Sequence, residues 1–316
     1  MLNARAGSDE KHVFNGLLFA EIDNYRRSLL TEAETLRLRI AATERLGELL
    51  TRDAIEEGLA TIRSIAVRND NPLFDPLFLT FLNHQDWIRP TDRVLCQLDA
   101  ALGMRRKMYR RFVHDSRRQP MGGLFELNIF AALETNFPGV EPQPRLAGST
   151  KMADFKFRCD GLDVFVEATV IDEQQFWKDV REKMRVERRS VFAAAGPGPA
   201  MTAFGIVSKV THESEQTSPV APNILCLSFF DSSASPMARE WAFDDLWRGG
   251  PKYGTPFNGP RKDFSKIERL DSVFEFSRDR LLNVHVNPHP VAACRLTDDR
   301  RDSIRAALGR APLMIR

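Results

Sequence analysis

The sequence predicts a mixed α/β fold in which a helical region precedes a sheet. Two observations carry this. Apolar residues recur at helical spacing through the first 120 residues, and alternating or wholly apolar short runs appear only after them. Between two alternating runs sits Asp160-Gly161, a strong hairpin signal, because a type I′ turn needs positive φ at both central residues.

The helical region spans residues 1–118. Thr31 and Glu34 have the spacing of a capping box, followed by Leu38, Ala42, Leu46 and Leu49 on one stripe. Ile55, Leu59, Ile62 and Ala66 form a second stripe. Pro72 and Pro76 interrupt the pattern. Thr91 or Asp92 is placed to cap a third helix bearing Val94, Leu98, Ala101 and Met108.

Residues 119–316 read as the sheet domain. An apolar helix is expected over 122–135, then a short proline-containing edge strand over 140–146. Strands follow at 152–158 and 162–171, a charged helix at 175–192, a loop at 193–200 and a helix at 201–216. The run NILCLSFF (223–230) is almost wholly apolar, as a strand covered on both faces is. A strand–helix–strand connection of this length implies parallel pairing through a right-handed crossover. A Gly/Pro-rich insertion around 231–265 contains a long loop at 249–263. Strands near 270–276 and 282–287 and a helix capped by Thr297 complete the chain.

Composition excludes several classes. No run of 18 apolar residues is present, so no spanning helix is expected. The first residues lack the apolar stretch of a secretory signal. The four cysteines are far apart with no CxxC pair, which argues against a thiolate zinc site and a disulfide framework and for a reducing, cytoplasmic setting. The net charge is only +2. Arginine outnumbers lysine 35 to 10; arginine suits phosphate, and a GC-rich genome gives the same bias. No nucleophile elbow, dinucleotide fingerprint or HExxH is found, and GSTK (148–151) is not a P-loop. His285 and His289 lie in a non-helical stretch.

One constellation carries chemistry. If Asp160-Gly161 is the hairpin loop, Cys159 faces Leu162 and the register carries Asp154 opposite Glu167. Both carboxylates then point to one face, with Cβ atoms about 5 Å apart. Like charges so placed repel unless a cation lies between them, and Mg²⁺ is commonly held by one or two carboxylates with water and phosphate. The other face, Phe155, Phe157, Val164, Val166 and Ala168, belongs on the core, which leaves the acids on the outer side. A plainer reading also stands: Lys156 and Arg158 share the acidic face, and Arg158 would pair with Asp163. Glu126 lies on an apolar helical stripe with Ile129, Phe130 and Leu133. Such a carboxylate needs a partner or a metal, or the help of the helix N-terminus.

A helix with an inward Glu, a strand, a strand with Asp and a hairpin partner with Glu resembles the PD-(D/E)XK nuclease superfamily, over roughly residues 122–230. The resemblance implies a restriction-endonuclease-like central mixed sheet flanked by helices. It implies metal binding, Mg²⁺ or Mn²⁺, by Asp154, Glu167 and Glu126, and hydrolysis of phosphodiesters without a covalent intermediate. The family's helix after the hairpin brings a Gln to the site, and Gln216 matches it. The family's lysine position holds Thr169, so Lys156 and Lys209 are the substitutes to consider. The implied partner is nucleic acid, DNA before RNA, with a homodimer left open and no membrane. A degenerate member that binds nucleic acid without cutting it, or that serves as a protein-interaction module, is the alternative. The segment 104–118 holds seven Arg and Lys residues and one acid; Arg105, Arg106, Lys107, Arg110 and Arg111 are its candidate phosphate contacts, or a solvated helix face.

Overall fold

Turn chemistry and alternation at the centre of the chain build the sheet. In the computed structural model the described residues are 6–65, 74–102, 109–110, 113–114, 116–117, 120–146, 151–171, 199–229, 235–248, 264–277 and 280–310. Asp160 and Gly161 have φ of 48° and 78°, the positive values that the hairpin turn demands. They join β2 (Phe155–Cys159) to β3 (Leu162–Ile171) in the expected register, with Cys159 opposite Leu162 and Phe155 opposite Val166. The full sheet has six strands in the order β1 to β6. β1 is Glu141–Pro142, β4 Asn223–Phe229, β5 Leu270–Ser277 and β6 Arg280–Val286. β3, β4 and β5 are mutually parallel, and β1, β2 and β6 run antiparallel to their neighbours. Every residue of β4 is buried, as its apolar sequence requires of a central strand.

Nine α-helices are present among the described residues: α1 Ala6–Ala41, α2 Leu46–Leu49, α3 Arg52–Arg63, α4 Pro76–Asn83, α5 Ile88–Leu102, α6 Pro120–Asn136, α7 Pro199–Glu213, α8 Pro236–Trp247 and α9 Asp298–Leu308. Helices α6 and α9 pack on one face of the sheet, while α7 and α8 pack together on the other. One hydrophobic cluster runs from Leu36 and Leu59 in the N-terminal helices through Phe125 and Phe130 of α6 to Phe155, Val166 and Phe274 of the sheet. The N-terminal helices are therefore joined to the sheet through α6. A Cβ on Gly123 of α6 would collide with the backbone of Ser116, so only glycine permits this approach.

Two helix starts differ from those the sequence predicts. Thr31 lies inside α1, and its hydroxyl donates to the Arg27 carbonyl at 2.9 Å. The helix continues because tertiary burial of Ala33 and Leu36 outweighs a local capping signal. Thr91 and Asp92 lie inside α5. The Asp92 carboxylate instead accepts from the backbone N–H groups of Glu44, Arg45 and Leu46 at 2.7–3.1 Å, capping α2 from a distant part of the chain. The helix predicted from 201 begins at Pro199. Ala66, Met108, the predicted helix at 175–192 and the loop at 249–263 lie outside the described residues.

Candidate functional site

The paired residues end at Phe155 and Val166, and Asp154 and Glu167 are the next residues beyond that pair. The carboxyls of Asp154 and Glu167 lie close enough for each to shift the titration of the other. Asp154 Oδ2 accepts from the Ala168 N–H at 2.8 Å, which fixes its orientation. Glu167 is 5% exposed, and its Oε1 receives no donor from the described residues. Here the sequence-based expectation is corrected: the acidic face is not on the outer side of the molecule. Helix α7 covers it, because its Ala203, Ile206, Val207 and Val210 bury against Leu225, Leu227 and Val273 of the sheet.

Electrostatics follow from that cover. Burial pushes the Asp154 carboxyl up to about 6, and Glu213 reinforces the rise, against the lowering effects of the Ala168 N–H, Glu167 and Lys209. Glu167 is raised well above the ordinary carboxylate range, first by burial and then by the charges of Asp154, Glu213 and Glu126. The charge of Glu126, carried by α6, is thus felt at the pair. Two carboxyls this close, one of them buried, favour a shared proton or a cation.

Glu213 is the residue that sequence reasoning missed. Its Oε1 accepts from Lys209 Nζ at 2.8 Å and from Thr169 Oγ1 at 3.2 Å, and its Oε2 accepts from Gln216 Nε2 at 3.2 Å. Thr169, Lys209 and Gln216 are therefore gathered beside the acid pair by one buried carboxylate. The i,i+4 spacing of Lys209 and Glu213 on a predicted helix was the available signal. Lys156 is drawn away, to Glu141 on β1 at 2.7 Å. Arg158 pairs with Asp163 at 3.1 Å, as expected. Of the basic segment, Arg110 is exposed, and Arg105, Arg106, Lys107 and Arg111 lie outside the described residues.

The donor set fits a divalent cation held by two carboxylates. Glu167 Oε1 lacks a donor among the described residues, and Glu213 and Glu126 raise the cost of ionising the pair as well. Among the described residues no group of three or more His, Cys, Asp and Glu side chains is arranged to hold a metal by itself, so water and substrate oxygens would complete the shell. Lys209 is the cation whose charge reaches Asp154. Lys209→Met is expected to raise the Asp154 pKa further, because a stabilising positive charge is lost and Glu213 is left uncompensated. Carboxyl-carbon NMR titration reads this directly; an unmoved Asp154 titration would refute the coupling.

Compared with protein-family models, with curated proteins and with solved structures, the chain matches none. Among the described residues no helix is long and apolar enough to cross a membrane.

Proposed function

We propose that the chain is a metal-dependent phosphodiester hydrolase of the PD-(D/E)XK type, acting on nucleic acid, DNA before RNA. The observation that carries the proposal is the adjacent pair on the hairpin, a half-buried Asp154 and a buried Glu167, with both carboxyls raised. Two carboxyls brought together with one of them buried are costly unless the arrangement has a use. The six-stranded mixed sheet with helices on both faces is compatible with the restriction-endonuclease-like architecture. Asp154 and Glu167 would hold Mg²⁺ or Mn²⁺, with Glu126 adding negative charge. Bound there, the metal supplies polarisation of a phosphodiester and of an attacking water.

The chain's own groups do the rest. The Ala168 N–H holds Asp154 in place, so the carboxylate does not rotate away when substrate arrives. Lys209, anchored by Glu213, brings a positive charge toward the pair. That charge stabilises negative charge developing on phosphate, a task the Thr169 hydroxyl cannot perform.

A second reading has a specific observation behind it. Thr169 replaces the family lysine and spends its hydroxyl on Glu213, which suits a fold that binds nucleic acid without cutting it. Incubating supercoiled plasmid and single-stranded DNA with Mg²⁺ or Mn²⁺ separates the two. Cleavage by the wild type, lost on chelation and in Asp154→Ala, is the expected result. Salt-dependent DNA binding with no cleavage under either metal would transfer the conclusion to the binding reading.

A further inference from the structure

A second feature owes nothing to the acid pair. Between α8 and the edge strand β6 lies a cleft of about 610 Å³. Its floor is built around Glu275, which is 4% exposed. One oxygen of that carboxylate takes Arg239 Nη1 at 2.8 Å and the other meets His285 Nε2 at 2.7 Å. The His285 ring stacks on Phe243 with centroids 3.5 Å apart, and the Arg239 guanidinium lies 5.6 Å from the Phe229 ring centroid. Each charged group of the floor is thus committed within the protein.

The rim differs from the floor. Glu240, Phe243, Asp244 and Trp247 lie on one face of α8, at positions i, i+3, i+4 and i+7. Glu240 is exposed, and Asp244 shares its carboxylate with Arg248 at 3.2 Å in solvent. That pair shows that the rim already accepts a guanidinium. Arg239 is neutralised by Glu275 and Asp244 by Arg248, so the exposed Glu240 leaves the described rim with a negative charge, and phosphate or any other polyanion is disfavoured. Aromatic faces beside carboxylates suit an organic cation.

Strand β6 forms the opposite wall. It is the last strand of the sheet, and no described strand pairs with its outer edge. Leu282 and Val286 on it are each 43% exposed, and Leu282 also lines the cleft. An unpaired edge offers backbone donors and acceptors to an added strand, and a strand added there projects alternate side chains to either side of the sheet.

From these features we infer that the α8–β6 cleft is a docking site for an extended basic peptide segment of a protein partner, which pairs along β6 and places a Lys or Arg side chain between Trp247 and the carboxylates of Glu240 and Asp244. The site is separate from the acid pair, and the inference stands whether or not the chain cuts nucleic acid.

Fluorescence anisotropy of a labelled alternating Val-Arg heptapeptide tests it on the full chain, with an alternating Val-Glu heptapeptide as the charge reverse. The expected result is binding of the Val-Arg probe alone, weakened about tenfold by Glu240→Gln/Asp244→Asn. The control Asp299→Asn/Asp302→Asn, which removes two exposed acids of α9, should leave affinity unchanged. Absence of Val-Arg binding, equal binding of Val-Glu, or equal weakening by both double variants would overturn the proposal.

Discussion

Replacing Glu167 by Gln is expected to stabilise the metal-free protein above pH 7 and, in the same variant, to abolish metal-dependent cleavage. Both effects have one cause. The Glu167 carboxyl is held far above its ordinary range by burial and by Asp154, Glu213 and Glu126, so ionising it in the folded state is costly. A folded pKa above the unfolded one gives stability that is complete below the unfolded value and is lost as pH rises through the folded value. For Asp154 that window opens at 3.8 and runs through about 6, and for Glu167 it extends higher. The wild type should therefore lose stability as pH rises from about 4 through 6, and continue to lose it above that as Glu167 ionises. The Asp154 contribution is on the order of 3 kcal/mol at about 1.4 kcal/mol per pKa unit. A neutral amide of the same shape removes the repulsion, and Mg²⁺ or Mn²⁺ then has no pair to bind. Calorimetric melting from pH 5 to pH 8, with and without Mn²⁺, compares wild type with Glu167→Gln and Asp154→Asn. The wild type should show a metal-dependent rise at pH 8 that both variants lack. A wild-type midpoint equal to that of the variants throughout, with the same response to metal, would show that the pair carries no such repulsion.

Arg301→Ala is expected to be the most destabilising single change away from the site. Asp271, at the start of β5, is fully buried. Its carboxylate accepts from Arg301 Nε at 2.9 Å, from Arg301 Nη2 at 3.0 Å and from the Leu296 N–H at 2.8 Å. This fork fastens α9 and the preceding turn to the sheet, and Arg301 Nη2 also donates to the Leu296 carbonyl at 3.1 Å. Removing the guanidinium strands a buried carboxylate, which costs roughly 3–5 kcal/mol and lowers the melting midpoint by about 10 °C. The double variant Asp271→Ala/Arg301→Ala should lose less than the sum of the two single changes, since the stranded charge goes with its partner. Strict additivity in that cycle would contradict the account.

The hairpin was legible because its determinants are local. Asp160-Gly161 specifies the turn, the turn sets the register, and Asp154 and Glu167 come together just beyond its last pair. The buried central strand, its parallel pairing and the edge position of β1 followed from apolar pattern, connection length and a proline. The failures concern residues whose partners are remote in sequence. Thr91 and Asp92 are both of a residue type that caps a helix start, yet Asp92 caps α2 more than 40 residues earlier, since capping requires only a carboxylate in reach of free N–H groups. Thr31 has the spacing of a cap, but burial of one face carries α1 straight through it. The acidic face was expected outside because alternation distinguishes two faces without saying what covers the second; α7 covers it. Glu213, Lys209 and Glu275 acquire their roles only when helices dock on the sheet. The sequence alone thus determined the strands, the turn and which acids face each other. Only the tertiary structure decided how deeply those acids are buried and which cations reach them, because burial and charge pairing depend on three-dimensional distance and not on spacing along the chain.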